Sequence, residues 1–114
     1  MSGIPWLYRG CILAILLHHR SSLLCIFGAQ NAIVITGCDS GFGEATSLRL
    51  AEQGFHVVSA CYSKEGAERL QGLVALAVVC DVTKEEDIAN LVEKTAVLLD
   101  AKKLKLWGLV CNAG

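Results

Sequence analysis

The stretch Ala32-Ile33-Val34-Ile35-Thr36-Gly37-Cys38-Asp39-Ser40-Gly41-Phe42-Gly43 decides the fold. Its first five residues form a β-branched, apolar run with no polar face, which suits a strand buried on both sides. A glycine-rich turn follows. After it Phe42, Ala45, Leu48 and Ala51 recur at helical spacing until Gly54, a natural helix stop. A strand, a glycine turn and a helix in succession make an anion site. The first turn of the helix offers unpaired N–H groups and a partial positive charge, and both suit a pyrophosphate. In such an arrangement Gly37 permits the tight turn off the strand, and Gly41 lets the backbone approach phosphates with no Cβ in the way. Gly43 allows the helix to pack closely on the sheet. Ser40 and the backbone around it add hydrogen-bonding groups. The spacing is G-x-x-x-G-x-G rather than the commoner G-x-G-x-x-G, and the same glycines would also serve a plain tight turn. Their place after the first strand of a β-α-β unit favours the nucleotide site.

Reading outward, Phe55 to Cys61 forms a second strand, and Lys64 to Gln71 a short helix closed by Gly72. Leu73 to Cys80 forms a third strand. Asp81-Val82-Thr83 follows, with Thr83 placed to cap a long helix. That helix carries an apolar face of Ile88, Leu91, Val92, Thr95 and Leu98/Leu99. Glu85, Glu86 and Asp87 fill its first turn and Lys102, Lys103 and Lys105 its far end, both in the sense the helix dipole favours. Leu106 to Cys111 is a fourth strand, followed by Asn112-Ala113-Gly114. Strands alternating with helices predict an α/β fold, a parallel sheet with helices on both faces and right-handed crossovers.

Residues 1–31 read differently. Acidic residues begin only at Asp39, and before it the charged side chains are Arg9 and Arg20. The uninterrupted apolar stretches, Gly10 to Leu17 and Leu23 to Ala29, each fall short of the roughly 20 residues that span a bilayer. This leader is expected to be a short anchor or signal-like segment lying in or dipping into a membrane, with an extra packed helix or a tail as the alternative. Residues 32–114 are expected to be one partial domain. A net charge of −1 with no clustered basic face argues against nucleic acid as a partner. Among six cysteines there is no C-x-x-C pair, and His18-His19 has no partner set, so no metal site is expected. The cysteines read instead as buried thiols in a reducing environment.

Three motifs then combine. Thr36-Gly37-Cys38-Asp39-Ser40-Gly41-Phe42-Gly43 resembles the T-G-x-x-x-G-x-G cofactor motif of the short-chain dehydrogenases/reductases. Asp81-Val82-Thr83 is similar to that family's Asp-Val element after the third strand, and Cys111-Asn112-Ala113-Gly114 to its N-N-A-G motif, with Cys111 in place of the first asparagine. The wording of residues 35–43, 54–61, 65–70 and 106–110 resembles the retinol dehydrogenase and hydroxysteroid dehydrogenase branch. The resemblance implies a Rossmann-type sheet and a nicotinamide cofactor held by Gly37, Ser40, Gly41, Phe42, Gly43, Asp81, Val82, Asn112, Ala113 and Gly114. It implies a hydrophobic anchor to the endoplasmic reticulum, with a cytoplasmic location as the alternative. It also implies that the catalytic serine and Tyr-x-x-x-Lys lie beyond the fourth strand. Neither Tyr8 nor Tyr62 is followed by lysine at the fourth position. The chain is therefore expected to be the cofactor-binding portion of such an oxidoreductase, truncated after the fourth strand and inactive alone. A retinoid or steroid substrate would belong only to a full-length parent. The other expectation is a non-enzymatic module or unstable fragment that pairs with full-length relatives through an open sheet edge.

An acidic residue at the end of the second strand would bind the ribose 2′-hydroxyl and select NAD, whereas basic residues there accept the 2′-phosphate of NADP. That place is Cys61-Tyr62-Ser63-Lys64, which offers no carboxylate. Lys64 reads as an exposed first-turn lysine in preference to a phosphate contact. The branch resembled implies NAD, with NADP as the alternative.

Overall fold

Five of the six residues of the first strand, β1 (Asn31–Thr36), are buried, as a β-branched run with no polar face requires. The structure, a computed structural model, describes residues 28–113. After β1 come α1 (Gly41–Glu52), β2 (His56–Cys61), α2 (Lys64–Leu70), β3 (Leu76–Val79), α3 (Glu85–Lys102) and β4 (Lys105–Val110). Every strand pairing is parallel and the order across the sheet is β3-β2-β1-β4. The chain thus steps outward from β1 to β3 and then crosses back to lay β4 on the other side of β1. The reversal between β1 and β4 is a topological switch point, where open sheets of this kind form their binding crevice.

Alternate residues of the strands feed two cores. Ile33, Ile35, Val57 and Cys61 meet Ala67 and Leu70 of α2 and the partly buried Leu48, Leu50 and Ala51 of α1 on one face. Val34, Val58, Ala60 and Val78 meet Leu91 of α3 on the other. Helices therefore cover both faces, as the α/β reading requires.

Several local expectations are corrected. The face of α1 turned to the sheet is not Phe42 and Ala45, which are exposed, but Gly43 and Ser47, both buried. Strand β3 begins at Leu76 rather than Leu73, because Leu73 and Val74 still donate their N–H groups to the carbonyl of Leu70 in the turn leaving α2. Thr83 does not cap α3. Its hydroxyl and N–H both turn back to Asp81, and Lys84 stands at the N-cap. On α3 Leu91 and Thr95 are buried, but Ile88 is exposed and Val92 is 62% exposed. Both border an apolar cleft of about 370 Å³ that runs toward Leu106 and Leu109 of β4. Nothing among the described residues covers β4 on that side, and Leu109 stays 60% exposed.

Register slips once in the β1–β4 pairing. Ala32 faces Leu106 and Ile33 faces Gly108, so Trp107 is the extra residue of a bulge. Cys38, Cys61 and Cys80 are buried free thiols as expected, whereas Cys111 is exposed. No metal-binding group and no helix able to cross a membrane is present among the described residues. The apolar leader, with the membrane expectation attached to it, lies outside them.

Ser47 is a polar residue on a buried helix face, and its hydrogen bonds explain its place there. The Ser59 hydroxyl of β2 donates to Ser47 Oγ at 3.0 Å, Ser47 donates to Cys38 Sγ at 3.2 Å, and the thiol donates to the carbonyl of Ile35 at 3.1 Å. Replacing Ser47 by Ala strands the buried Ser59 hydroxyl, at a cost of about 1–3 kcal/mol. Removing both hydroxyls in Ser47→Ala/Ser59→Ala is expected to cost less than the sum of the single changes. Urea melts of the four chains check this, and strict additivity would show that the two hydroxyls do not act together.

Candidate functional site

The carboxyl ends of the four parallel strands open on the same side of the sheet. A cavity of about 520 Å³ lies there, walled by Gly37, Asp39, Tyr62, Cys80, Asp81, Val82, Thr83, Asn112 and Ala113. Each of the four strand ends contributes to it. Of the residues expected from sequence, Gly37, Asp81, Val82, Asn112 and Ala113 line the cavity. Gly41, Phe42 and Gly43 form the first turn of α1, with Ser40 at its N-cap. Gly114 lies outside the described residues.

The switch point is held by one hydroxyl. Thr36 Oγ1 accepts from the N–H groups of Asn112 and Ala113, each at 3.1 Å, and donates to the carbonyl of Val110 at 3.4 Å. Asn112 adds a second tie, its Nδ2 donating to the carbonyl of Gly37 at 3.1 Å. The side chain of Asn112 therefore braces the glycine turn from the neighbouring strand.

The glycines differ in what they do. A Cβ on Gly37 would lie 2.9 Å from the backbone of Ala113, and one on Gly43 would collide with the carbonyl of Gly37 and reach 2.7 Å from Asn112 Nδ2. These two make room for the protein itself. Gly41 has φ +62° and nothing within 4 Å of a Cβ position, so it leaves room for something else. Ser40 has extended backbone and makes no side-chain cap bond. No side chain caps the first turn of α1, and first-turn N–H groups, which lack intrahelical partners, suit an anion. Phe42 is 86% exposed and packs on nothing in the core.

The end of β2 is not without a carboxylate, contrary to the sequence expectation. Asp39 reaches over from the glycine turn. Its Oδ1 accepts from Tyr62 N–H at 2.5 Å, and its Oδ2 accepts from Ser63 N–H at 2.7 Å and Ser63 Oγ at 2.6 Å. Partial burial acts to raise the pKa of Asp39, but the Ser63 hydroxyl and the N–H groups of Ser63 and Tyr62 outweigh it and hold the carboxyl below its usual range. Arg69 fixes the same turn from α2, its guanidinium bonding the carbonyl of Asp39 and, at 3.2 Å, the carboxylate of Glu44. Asp81 is ordered locally instead. Its Oδ1 accepts from the Thr83 hydroxyl at 2.6 Å and from Thr83 N–H at 2.9 Å, and these two bonds lower its pKa. Burial pushes the Cys61 thiol up to about 12, so it stays protonated behind the site.

The family model described as short chain dehydrogenase matches residues 31–114. The chain belongs to the short-chain dehydrogenase family. Human retinol dehydrogenase 16 is 36% identical over 96% of the chain, and human 17-beta-hydroxysteroid dehydrogenase type 6 is 37% identical over the same share. Human retinol dehydrogenase 5 is 37% identical over 97%. The chain spans about a third of the length of these curated relatives, 36% of each of the first two. Among solved structures, a hydroxysteroid dehydrogenase from Escherichia coli aligns with a TM-score of 0.65 at 25% identity, covering 82% of this chain and 39% of that one. A 3-ketoacyl-(acyl-carrier-protein) reductase from Brucella melitensis, solved with NADH, aligns with a TM-score of 0.58 at 38% identity, over 69% of this chain and 32% of that one. The three human relatives place the chain with the retinol and hydroxysteroid dehydrogenase branch of the family.

Sequence reasoning missed Asp39, Thr36 and Arg69 as organisers of the site. The first two lie inside the quoted motif, but their partners Tyr62, Ser63, Asn112 and Ala113 sit 23 or more residues away in the chain, so only the folded sheet brings them together. The division of labour among the glycines is measurable. Gly43→Ala forces α1 away from Gly37 and is expected to cost about 3 kcal/mol of stability, at the upper end of overpacking effects. Gly41→Ala costs about 1–2 kcal/mol for its left-handed backbone and acts mainly on an incoming ligand. Melts of the two variants in parallel check the order, and equal losses would refute it.

Proposed function

We propose that this chain binds a nicotinamide dinucleotide, NAD, along the crevice between β1 and β4, as the cofactor-holding part of a retinol- or hydroxysteroid-type dehydrogenase. The observation that carries the proposal is the first turn of α1, uncapped by any side chain and faced by a glycine with open space before it, beside a 520 Å³ cavity at the switch point. Gly37, Ser40, Gly41, Phe42 and Gly43 would hold the pyrophosphate, and Asp81 and Val82 the adenine end. Asn112, Ala113 and Gly114 would border the ribose and nicotinamide side. A bound nicotinamide would supply hydride exchange, between a secondary or allylic alcohol in one direction and the corresponding carbonyl compound in the other. This chain's residues bind and orient it.

The general acid/base of that chemistry is proposed to lie outside these 114 residues, because neither tyrosine of the chain begins a Tyr-x-x-x-Lys pattern. Calorimetry with NAD and NADP on the 114-residue chain tests the first half of the proposal, and retinol and 3-hydroxysteroid oxidation assays on the same preparation test the second. Saturable binding without turnover is expected. Turnover would place catalytic groups within this chain, and absence of binding would remove the cofactor reading.

The apolar, uncovered side of β4 favours a second reading, in which the chain pairs with a longer relative through that edge. Mixing the chain with full-length human retinol dehydrogenase 16 and following both by size-exclusion chromatography tests it. Co-elution is expected under this reading, and independent elution of the two would exclude it.

A further inference from the structure

Resting on the dinucleotide reading above, we infer that Asp39, on the glycine turn and not on β2, is the residue that makes this site prefer an unphosphorylated adenosine ribose. Sheets of this class select NAD with a carboxylate at the end of the second strand, and in this chain that strand ends in Cys61-Tyr62. The Asp39 carboxylate nevertheless stands there, anchored to Tyr62 and Ser63 by three hydrogen bonds and lining the cavity.

The hydrogen-bond count leaves it one task. A carboxylate has about four acceptor positions. Oδ2 uses two on Ser63, and Oδ1 uses one on Tyr62. The remaining position on Oδ1 can accept a ribose 2′-hydroxyl proton. A 2′-phosphate offers mostly negative oxygen near neutral pH and has no proton to give there. It would also meet a wall that carries Asp39 and Asp81 and, among the described residues lining the cavity, no lysine or arginine. Arg69, which bonds this turn, is already committed to Glu44 and to the carbonyl of Asp39. Lys64 opens α2 but does not line the cavity. Three anchoring bonds hold the carboxylate in place, so it cannot swing aside to admit the phosphate without giving up its bonds to Tyr62 and to Ser63, the N-cap residue of α2.

The test is a set of dissociation constants on the full 114-residue chain. The wild type is expected to bind NAD about tenfold or more tighter than NADP, the scale of one uncompensated like-charge contact. It is expected to bind adenosine 5′-monophosphate tighter than adenosine 2′,5′-bisphosphate, a comparison that needs no variant. In Asp39→Asn and Asp39→Ser the NAD/NADP ratio is expected to fall about tenfold, chiefly through tighter NADP. Ser63→Ala, which loosens the anchor but keeps the charge, should preserve most of the ratio. Equal or tighter binding of the 2′-phosphorylated ligands by the wild type overturns the assignment. So does an unchanged ratio in both Asp39 variants with NAD and NADP weakened alike, because Asp39 would then only brace the loop. If neither dinucleotide binds the wild type, the cofactor reading itself falls and this inference with it.

Discussion

The approach of the first turn of α1 to the carbonyl of Gly37 sets the geometry of the whole crevice. A helix can come this close to the end of a strand only where Gly43 has no side chain to hold it off. Once there, it presents its N–H groups beyond the sheet edge, where their partial charge is unspent. The same closeness explains why the next buried position on that helix face is Ser47 and not a large aliphatic residue. The narrow gap takes a hydroxyl, and β2 supplies Ser59 as its partner. Tight packing and buried polarity are therefore two results of one constraint.

Around that contact the loops share out their bonds so that no described buried side-chain polar atom lacks a partner. Asp39 joins the glycine turn to the start of α2, Asn112 joins it to the exit of β4, and Thr36 joins β1 to β4. The turn is thus braced from both neighbours. Preorganisation of this kind lowers the entropy that a flexible ligand site would lose on binding. The two carboxylates among the residues lining the cavity, Asp39 and Asp81, are consequently already fixed by other bonds.

Much of the architecture was legible in the residues. The β-branched run before Gly37, the glycine spacing and the alternation of four strands with three helices correspond to the observed elements, with boundaries moved by a few residues. What sequence could not supply was the direction in which side chains face. Phe42 and Ala45 have helical spacing but point outward, because the covered face is set by where Gly43 must sit. Thr83 has the chemistry of an N-cap, yet Asp81 two residues earlier competes for its hydroxyl and wins through a local turn. Asp39 was part of the quoted motif, and its role was hidden because its partners Tyr62 and Ser63 belong to another strand end. Periodicity reports which positions share a face, whereas the covered face of α1 and the role of Asp39 turn on contacts between segments and the Thr83 case on a competing local turn.

The Thr36 hydroxyl has a consequence in time as well as in space. It reaches across 76 and 77 residues of sequence to take the N–H groups of Asn112 and Ala113. Loops that long close late, because their entropy must be spent before any contact rewards it. A chain emerging from a ribosome can therefore form β1, α1 and β2 early, but this crevice has no second wall until β4 arrives beside β1. Until then the glycine turn is a helix start without a second wall, and an encounter with a dinucleotide would find half a site.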